Sequence, residues 1–340
     1  MRIVIHGGMH KTGTTALQQL MSASTTTLLK HGVYYPPGGH DAHYLCVGAK
    51  GAGWTPDAIQ AQVEVARRHG ADTLMLSSET VSTLSTEHFA RLADACRDFS
   101  VTYVFCFRHW ANYLPSRWAQ YCIRRDAQGV DEYLTMVASS QTHIDCHFDQ
   151  VLAAVHNGTG QAAIGVSYDY AASNANGVVG TVLRACGLSD AVIEVLPKEG
   201  RVNERFDWRH VELCRLLNGM AADTLGLAQN ELCRSVGDHV ACDTFFDFIR
   251  HIQAVEPASL QAMTALIEAH GVQDEVRLTE PFFEAERKLT SLHGQFVNAN
   301  KGAVFPPMRP GTVRYSNLTW QGFSRLAGRQ AEAVLAMRGI

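Results

Sequence analysis

The sequence predicts an α/β fold: a three-layer sandwich with a central parallel sheet, plus a helical C-terminal third. Over roughly the first 200 residues, short apolar runs alternate with stretches of helical periodicity. These runs are continuously apolar rather than alternating, which is typical of parallel strands covered by helices on both faces. After that point the periodicity is helical, and no further strong strand is evident.

The elements follow in order. The first strand is predicted over residues 2–6, and a glycine-rich loop leads from it into a helix over about 14–30, stopped by Gly32. Residues 33–39 are predicted to turn the chain outward, and residues 38–56 to form a surface loop. Further strands are predicted at 72–78, 101–107 and 162–167, and helices at 57–69, 86–97, 110–124, 130–139, 145–156 and 177–186.

Helices are predicted in the last third at 205–219, 229–252, 256–270, 279–293 and 320–337. We therefore expect an α/β core over residues 1–200 and a mostly helical extension over residues 201–340. The chain of 340 residues is long enough for either two domains or one large domain with additions.

Composition limits the partners. The net charge is −4, so the chain as a whole has no attraction for nucleic acid or for an anionic membrane surface. Any anion site must therefore be local.

There are nine cysteines, an odd number with no C-x-x-C pair, which favours reduced, buried thiols. No zinc pattern, signal peptide or membrane-spanning apolar run is found, so we expect a cytoplasmic protein with no integral membrane association and no metal.

The loop after the first strand has the features of an anion site. Gly7, Gly8 and Gly13 let the backbone approach a ligand closely, and the free N–H groups at the start of the next helix favour negative charge. Lys11 adds a cation. Hydroxyl donors are supplied by Thr12, Thr14 and Thr15.

This loop departs from the nucleoside-triphosphate pattern G-x-x-x-x-G-K-[ST]. Gly8 and Gly13 have the right separation, but Thr14 occupies the lysine position. The lysine lies three places earlier, at Lys11, where it would meet a different part of a bound ligand.

Polar residues also follow the next two predicted strands. Glu79 follows the second strand and Arg108 the third, and Ser116 lies eight residues after Arg108 on a predicted helix. Ligands of parallel sheets bind beyond the carboxyl ends of the strands, so these groups are expected to converge with the glycine-rich loop.

The arrangement resembles the PAPS-dependent sulfotransferases, in particular bacterial and carbohydrate-type members. Residues 10–18, H-K-T-G-T-T-A-L-Q, are similar to that family's 5′-phosphosulfate loop, and residues 108–116, R-H-W-A-N-Y-L-P-S, to its 3′-phosphate motif. Ser77-Ser78-Glu79 after a strand is a further similarity. The resemblance covers roughly residues 1–205, and it implies a P-loop NTPase-like fold.

The resemblance also implies roles. PAPS (3′-phosphoadenosine 5′-phosphosulfate) would be the donor, with Lys11 neutralising charge on the bridging oxygen and the departing phosphate. The loop would hold the 5′-phosphate through the backbone of residues 12–15 and the hydroxyls of Thr14 and Thr15, with His10 shaping it and Gly13 within it. Arg108 and Ser116 would bind the 3′-phosphate, a task that suits the forked donors of arginine.

Glu79 is the first candidate for the general base that takes the proton from the acceptor hydroxyl. A capping role, an ion pair with a surface arginine, or substrate binding are the other interpretations of this residue. His43, in the glycine-rich loop over residues 38–56, is the second candidate, and a solvated loop histidine is its simpler interpretation.

Two other functions remain open. A P-loop nucleotide kinase or NTPase shares the strand, loop and helix, but it needs a lysine at position 14 and a magnesium-holding aspartate at a strand end, where Asp169 is the nearest. A non-catalytic nucleotide-binding interaction protein is the other alternative. For the enzyme, a carbohydrate, glycolipid or small metabolite is the expected acceptor, and the oligomeric state is left open.

Overall fold

The computed structural model describes residues 1–37, 56–124, 126–197, 206–227, 245–292, 296 and 303–337. The chain forms two compact units and passes from one to the other several times. The first unit comprises Met1–Trp110, Ser140–Asn203 and Leu278–Met308, and the second Ala111–Ser139, Glu204–Arg277 and Arg309–Ile340. One passage lies close to residue 200, where the composition changes.

The first unit contains a five-stranded parallel sheet, which confirms the predicted central parallel sheet. In chain order its strands are β1 (Arg2–Gly8), β2 (Val33–Tyr34), β3 (Thr73–Ser77), β4 (Ser100–Phe107) and β5 (Ile164–Ser167). Their order across the sheet is β2-β3-β1-β4-β5. The glycine-rich loop that follows β1 therefore leaves the centre of the sheet, with the ends of β3 and β4 on either side.

The strand β2 corrects the sequence analysis, which predicted only an outward turn at this point. Val33 and Tyr34 pair in parallel with Thr73 and Leu74 at the edge of the sheet. A strand of two residues, closed by the prolines at 36 and 37, is too short to produce a recognisable apolar run.

Helices surround this sheet in the first unit. They are α1 (Thr14–Ala23), α2 (Thr25–Lys30), α3 (Pro56–Arg68), a 3-10 helix (Glu79–Thr83), α4 (Thr86–Ala95), and the first residue of α5 (Trp110–Arg124). After α6 (Val130–Ser139), which belongs to the second unit, come α7 (Phe148–Thr159), α8 (Tyr168–Ala171), α9 (Gly177–Ala185) and α10 (Asp190–Val195). The single helix predicted over 14–30 is wrong, because it breaks at Ser24 before a run of three β-branched threonines.

Both faces of the sheet are covered. On one face Val4, Val104 and Val166 pack in a common core with residues of α1, α2, α9 and α10. On the other face Phe105 makes an edge contact with Phe89 of α4, and Phe107 lies against Phe148 of α7. Each fully buried phenylalanine contributes about 1.5–3 kcal/mol through removal of apolar surface from water. The sheet and its two helical covers are the three predicted layers.

The second unit is mostly helical. Besides α6 and most of α5 it contains α11 (Trp208–Thr224), α12 (Phe245–Val255), α13 (Pro257–Ala269), α15 (Trp320–Ala327) and α16 (Arg329–Ala336). The intervening α14 (Glu280–Ser291) belongs to the first unit. The helix predicted over 320–337 is divided at Gly328, whose φ of 49° lies in the left-handed region.

A strand pair in the second unit contradicts the expectation of a C-terminal third without strands. The strands β6 (Gly271–Glu275) and β7 (Thr312–Ser316) pair antiparallel. Most residues of β6 are exposed and polar, so it lacks the apolar run on which the prediction of strands depends.

A buried ion pair anchors β7 to α11. Glu212 is completely buried, and both its oxygens accept hydrogen bonds from Arg215 at 2.8 Å. The hydroxyl of Ser316 donates to the same carboxylate at 2.6 Å, and Arg215 also donates to the carbonyl of Leu318 at 2.8 Å. The pair is thus fully hydrogen-bonded, as a buried pair must be to offset the cost of desolvation.

Among the residues that the structure describes, no helix is both long and apolar enough to cross a membrane. Within the same part of the chain, no group of three or more His, Cys, Asp or Glu side chains could hold a metal ion. The six described cysteines that are free are also buried: Cys96, Cys106, Cys122, Cys146, Cys186 and Cys214.

Candidate functional site

The glycine-rich loop lies between β1 and α1, where two residues have left-handed backbone conformations. Gly13, the N-cap of α1, has a φ of 87°, and Lys11 has a φ of 62°. A non-glycine residue in this region costs about 1 kcal/mol, so the surrounding contacts must hold Lys11 in place. The N–H of Met9 donates to the carbonyl of Cys106 at 3.1 Å, which ties the start of the loop to β4.

Two threonine hydroxyls crowd against Gly8. A Cβ added at Gly8 would lie 2.7 Å from Oγ1 of Thr14 and 2.8 Å from Oγ1 of Thr12, so only glycine fits there. Thr12 donates to the carbonyl of Met9 at 2.5 Å and closes a turn that contains His10 and Lys11. Thr14 is only 2% exposed, yet its hydroxyl finds no hydrogen-bond partner among the described residues.

A buried polar network supports the loop from below. Nδ1 of His6 lies 2.8 Å from the hydroxyl of Ser77, and the amide of Gln18 donates to the carbonyl of Ser77 at 3.0 Å. Burial lowers the pKa of His6 to about 4, against an opposing effect of the Glu79 carboxylate. His6 is therefore neutral at pH 7, and it joins β1 to β3 directly beneath the candidate site.

The predicted base, Glu79, lies next to the loop. Its Oε2 is 2.7 Å from Nδ1 of His10, and both side chains are about one quarter exposed (28% for Glu79, 27% for His10). The 3-10 helix that Glu79 begins is fastened to β1, because the hydroxyl of Ser82 donates to the carbonyls of Gly8 at 2.9 Å and Glu79 at 2.6 Å. The ends of β1 and β3 are therefore joined through His10 and Glu79.

Arg108 joins the loop to the ends of β4 and β5. Its Nη1 donates to the carbonyl of Lys11 at 3.4 Å, and its guanidinium carbon lies 4.9 Å from the ring centre of Tyr168. Its Nε is buried and has no hydrogen-bond partner in the part of the chain that the structure describes. Arg108 thus carries a buried N–H donor that the described protein groups leave unused.

Asp169, at the end of β5, has a structural contact. Its Oδ2 accepts a hydrogen bond from the backbone N–H of His109 at 2.7 Å, immediately before α5 begins. Burial lowers the pKa of His109, against the opposing effect of Asp169. The carboxylate thus fixes the path of the chain just after Arg108.

The remaining predicted residues are less closely connected. Thr15 is half-buried in the first turn of α1. Ser116 belongs to the second unit, where its hydroxyl donates to the carbonyl of Asn112 one turn earlier at 3.4 Å. Its pairing with Arg108 stays a prediction, and His43 lies outside the described residues.

The structure thus brings together the β1 loop, Glu79 and Arg108. Sequence reasoning did not predict the supporting contacts of Ser77, Gln18, Ser82 and Tyr168, although Ser77 and Gln18 lie within the segments that carry the resemblance. Ser77 ends β3 and Tyr168 directly follows β5, so the ends of apolar strands were a visible signal for these two; Ser82 lies within the 3-10 helix and had no such signal. No local pattern indicated that Gln18, one turn into a helix, would turn back to β3.

An open pocket of about 530 Å³ lies along α14. It is lined by Glu280, Phe283, Glu286, Arg287 and Thr290. Oε2 of Glu286 is 3.9 Å from Nε2 of His109, the residue after Arg108. Burial raises the pKa of Glu286 and lowers that of His109, so at neutral pH this contact is weaker than a full ion pair.

The arrangement can bind an anion. Lys11 and Arg108 supply positive charge, and α1 presents its N-terminal N–H groups and the hydroxyl of Thr14. His10 and Glu79 form a proton-accepting pair beside them. Comparison of the chain with protein-family models, with curated proteins and with solved structures finds no match.

Proposed function

We propose that this chain is a PAPS-dependent sulfotransferase that moves a sulfuryl group to a hydroxyl or amine of a carbohydrate, glycolipid or small metabolite. One observation carries the proposal. The hydroxyl of Thr14 and Nε of Arg108 are buried donors without partners among the described residues, and they flank the Lys11 turn. Other described buried donors are also without hydrogen-bond partners in this part of the chain, among them the hydroxyl of Ser24, so the support comes from position: one donor lies in the loop that contains Lys11, and the other belongs to the residue that donates to the Lys11 carbonyl.

These residues fit the donor. The backbone N–H groups of residues 12–15 with the hydroxyls of Thr14 and Thr15 would hold its 5′-phosphate, and Arg108 its 3′-phosphate; the part of Ser116 in that site is implied by the sequence resemblance alone. Bound there, PAPS would supply an activated sulfuryl group. Lys11 would stabilise the negative charge that develops as the group is transferred, an effect that depends on a cation already held in position. The proposal includes a P-loop NTPase-like core, in which the lysine has moved from position 14 to position 11.

Two features disfavour the kinase or NTPase alternative. Thr14 occupies the position of the phosphate-binding lysine, so the loop lacks that cation at the place where a triphosphate needs it. Asp169, the nearest candidate for a magnesium-holding aspartate, already accepts the N–H of His109 at the start of α5. Arg108 follows the neighbouring strand β4 and would provide a second phosphate site, which suits a nucleotide with two separate phosphate groups better.

The pocket along α14 is a reasonable acceptor site within this proposal. Its carboxylates and arginine can hydrogen-bond to hydroxyl groups, and Phe283 offers an exposed ring on which a sugar or an aglycone can pack. Glu286, which lines the pocket, contacts His109, so the pocket lies near the end of β4 and Arg108.

Binding of nucleotides tests the donor site. We expect adenosine 3′,5′-bisphosphate to bind in EDTA, measured by calorimetry, and ATP with magnesium to bind weakly. The opposite preference would favour the kinase or NTPase. Radiolabelled PAPS offered with a panel of carbohydrates, glycolipids and small metabolites then identifies the acceptor. Donor binding without transfer to any acceptor would favour the non-catalytic alternative.

Lys11 tests the mechanism. Lys11→Ala is expected to abolish transfer and leave the melting temperature nearly unchanged. The matched control is Lys288→Ala, which removes an exposed lysine whose contact is the i,i+4 pair with Glu284. Normal turnover by Lys11→Ala would refute the assigned role.

A further inference from the structure

We propose that His10 is the catalytic base and that Glu79 is its positioning residue. This inference rests on the proposed sulfotransferase function and changes the assignment of its proton acceptor. The observation is the 2.7 Å hydrogen bond between Nδ1 of His10 and Oε2 of Glu79.

The hydrogen bond fixes the tautomer of His10. An ionised carboxylate only accepts hydrogen bonds, so Nδ1 carries the proton that faces Glu79. Nε2 then carries the lone pair. Among the described residues Nε2 of His10 has no hydrogen-bond partner, and the side chain is 27% exposed, so an acceptor hydroxyl can reach it.

Glu79 is poorly suited to act as the base itself. Its Oε2 is committed to His10, and its main-chain carbonyl is held by the hydroxyl of Ser82. A carboxylate fixed in this way can orient an imidazole and stabilise the imidazolium that forms when Nε2 accepts a proton.

The turn places the base beside the cation. His10 and Lys11 are the two central residues of the turn that Thr12 closes onto the carbonyl of Met9. Arg108 holds the carbonyl of Lys11 from the other side. Among the described charged and titratable groups, Glu79 from the 3-10 helix contacts His10 directly, Lys11 is its neighbour on the turn, Arg108 contacts that turn through the Lys11 carbonyl, and neutral His6 lies within the electrostatic reach of Glu79.

The proton balance is complete. As the acceptor oxygen forms its bond to sulfur, the bond from sulfur to the donor's phosphate oxygen breaks, and the electron pair leaves with adenosine 3′,5′-bisphosphate. The O–H bond of the acceptor breaks, and its proton passes to Nε2 of His10 and later to water. Sulfate ester, bisphosphate and one proton are the products.

Kinetics of four variants separate the two assignments. His10→Ala is expected to lose about 10²- to 10⁴-fold in transfer rate, the usual contribution of a general base. Added imidazole should restore part of that rate, which no merely structural role predicts. Glu79→Gln should lose about 10- to 100-fold in transfer rate, and Glu79→Asp should recover part of the loss. The matched control His156→Ala, an exposed histidine on α7, should transfer at the wild-type rate.

The opposite pattern would overturn the proposal: near-normal transfer by His10→Ala, no rescue by imidazole, and a larger loss of rate in Glu79→Gln than in His10→Ala. Binding of adenosine 3′,5′-bisphosphate, measured for each variant, should stay close to wild type. Wild-type protein that neither binds this nucleotide nor transfers sulfuryl groups would instead refute the proposed function, and the base assignment with it.

A readout without turnover tests the geometry. In ¹⁵N-labelled protein, multiple-bond NMR spectra should show that Nδ1 of His10 is protonated and that Nε2 is unprotonated. Glu79→Ala should lose this preference. A proton on Nε2 in the wild-type protein would overturn the proposal even if transfer is observed.

Discussion

Thr14 and Thr12 offer a paired test of the loop, because the two hydroxyls are equally buried and differ in their partners. Each residue is 2% exposed. Thr12 donates to the carbonyl of Met9, whereas the hydroxyl of Thr14 has no partner among the described residues. Substitution by valine keeps the shape of each side chain and removes only the hydroxyl.

The two substitutions should change stability in opposite directions. A buried polar group without a partner costs about 1–3 kcal/mol, so Thr14→Val should raise the free energy of unfolding by about 1 kcal/mol. Thr12→Val leaves the Met9 carbonyl unpaired and should lower it by about 1–3 kcal/mol. In a unit of this size, each kcal/mol shifts the melting temperature by about 2–4 °C.

Ligand binding should rank the variants differently. A hydrogen bond to a charged phosphate contributes about 1.5–3 kcal/mol, so Thr14→Val should weaken the binding of adenosine 3′,5′-bisphosphate by roughly 10- to 100-fold. Calorimetric unfolding without nucleotide and titration with it measure the two effects. The reasoning is refuted if Thr14→Val destabilises the protein as much as Thr12→Val does, or if it binds the nucleotide as tightly as wild type.

Three further predictions follow from the described contacts. Arg108→Ala should weaken the binding of adenosine 3′,5′-bisphosphate by roughly 10- to 100-fold. Arg97→Ala, which breaks an exposed pair with Asp94, should leave this affinity unchanged. Equal affinities of the two variants in a binding titration would contradict the role assigned to Arg108. The pKa of His6 falls from 6.5 to about 4 on folding, so its contribution to stability is present above pH 6.5 and is lost as the pH falls toward 4, by about 3 kcal/mol in all. Denaturant unfolding across this pH range should show the loss of stability, and His6→Gln should make that loss smaller. Glu212→Gln should lower the free energy of unfolding by about 3–5 kcal/mol because it leaves Arg215 buried without a charged partner. Asp190→Asn, at the exposed pair with Arg184, should lower it by less than about 1 kcal/mol. Similar denaturation midpoints for the two variants would show that burial does not decide the cost.

The central sheet could be predicted because its strands are apolar runs separated by helical periodicity. The three missed strands lack that signal: β2 has two residues, β6 is polar and largely exposed, and β7 mixes exposed with buried residues. A strand that is not buried on both faces needs no continuous apolar sequence, so its position depends on its partner rather than on its own composition.

Positions in the candidate site were predictable in the same way, but their partners were not. The residues after β1, β3 and β4 were expected to meet because parallel strands end at one edge of the sheet. Which side chains touch depends on register. His6 pairs opposite Ser77, and this register carries the residues that follow, His10 and Glu79, toward each other. Nothing in a single sequence fixes that register.

The hydrogen bonds around the loop distinguish side chains that stabilise the fold from side chains left available for a ligand. The hydroxyls of Thr12 and Ser82 are used within the protein, and so is the amide of Gln18. Their removal should first affect folding. The hydroxyl of Thr14 and Nε of Arg108 are left over after this accounting, although both are buried. If the proposed function is correct, these two atoms are the donors that should meet the ligand's negative charge. A nucleotide with two separate phosphate groups would provide charge for both.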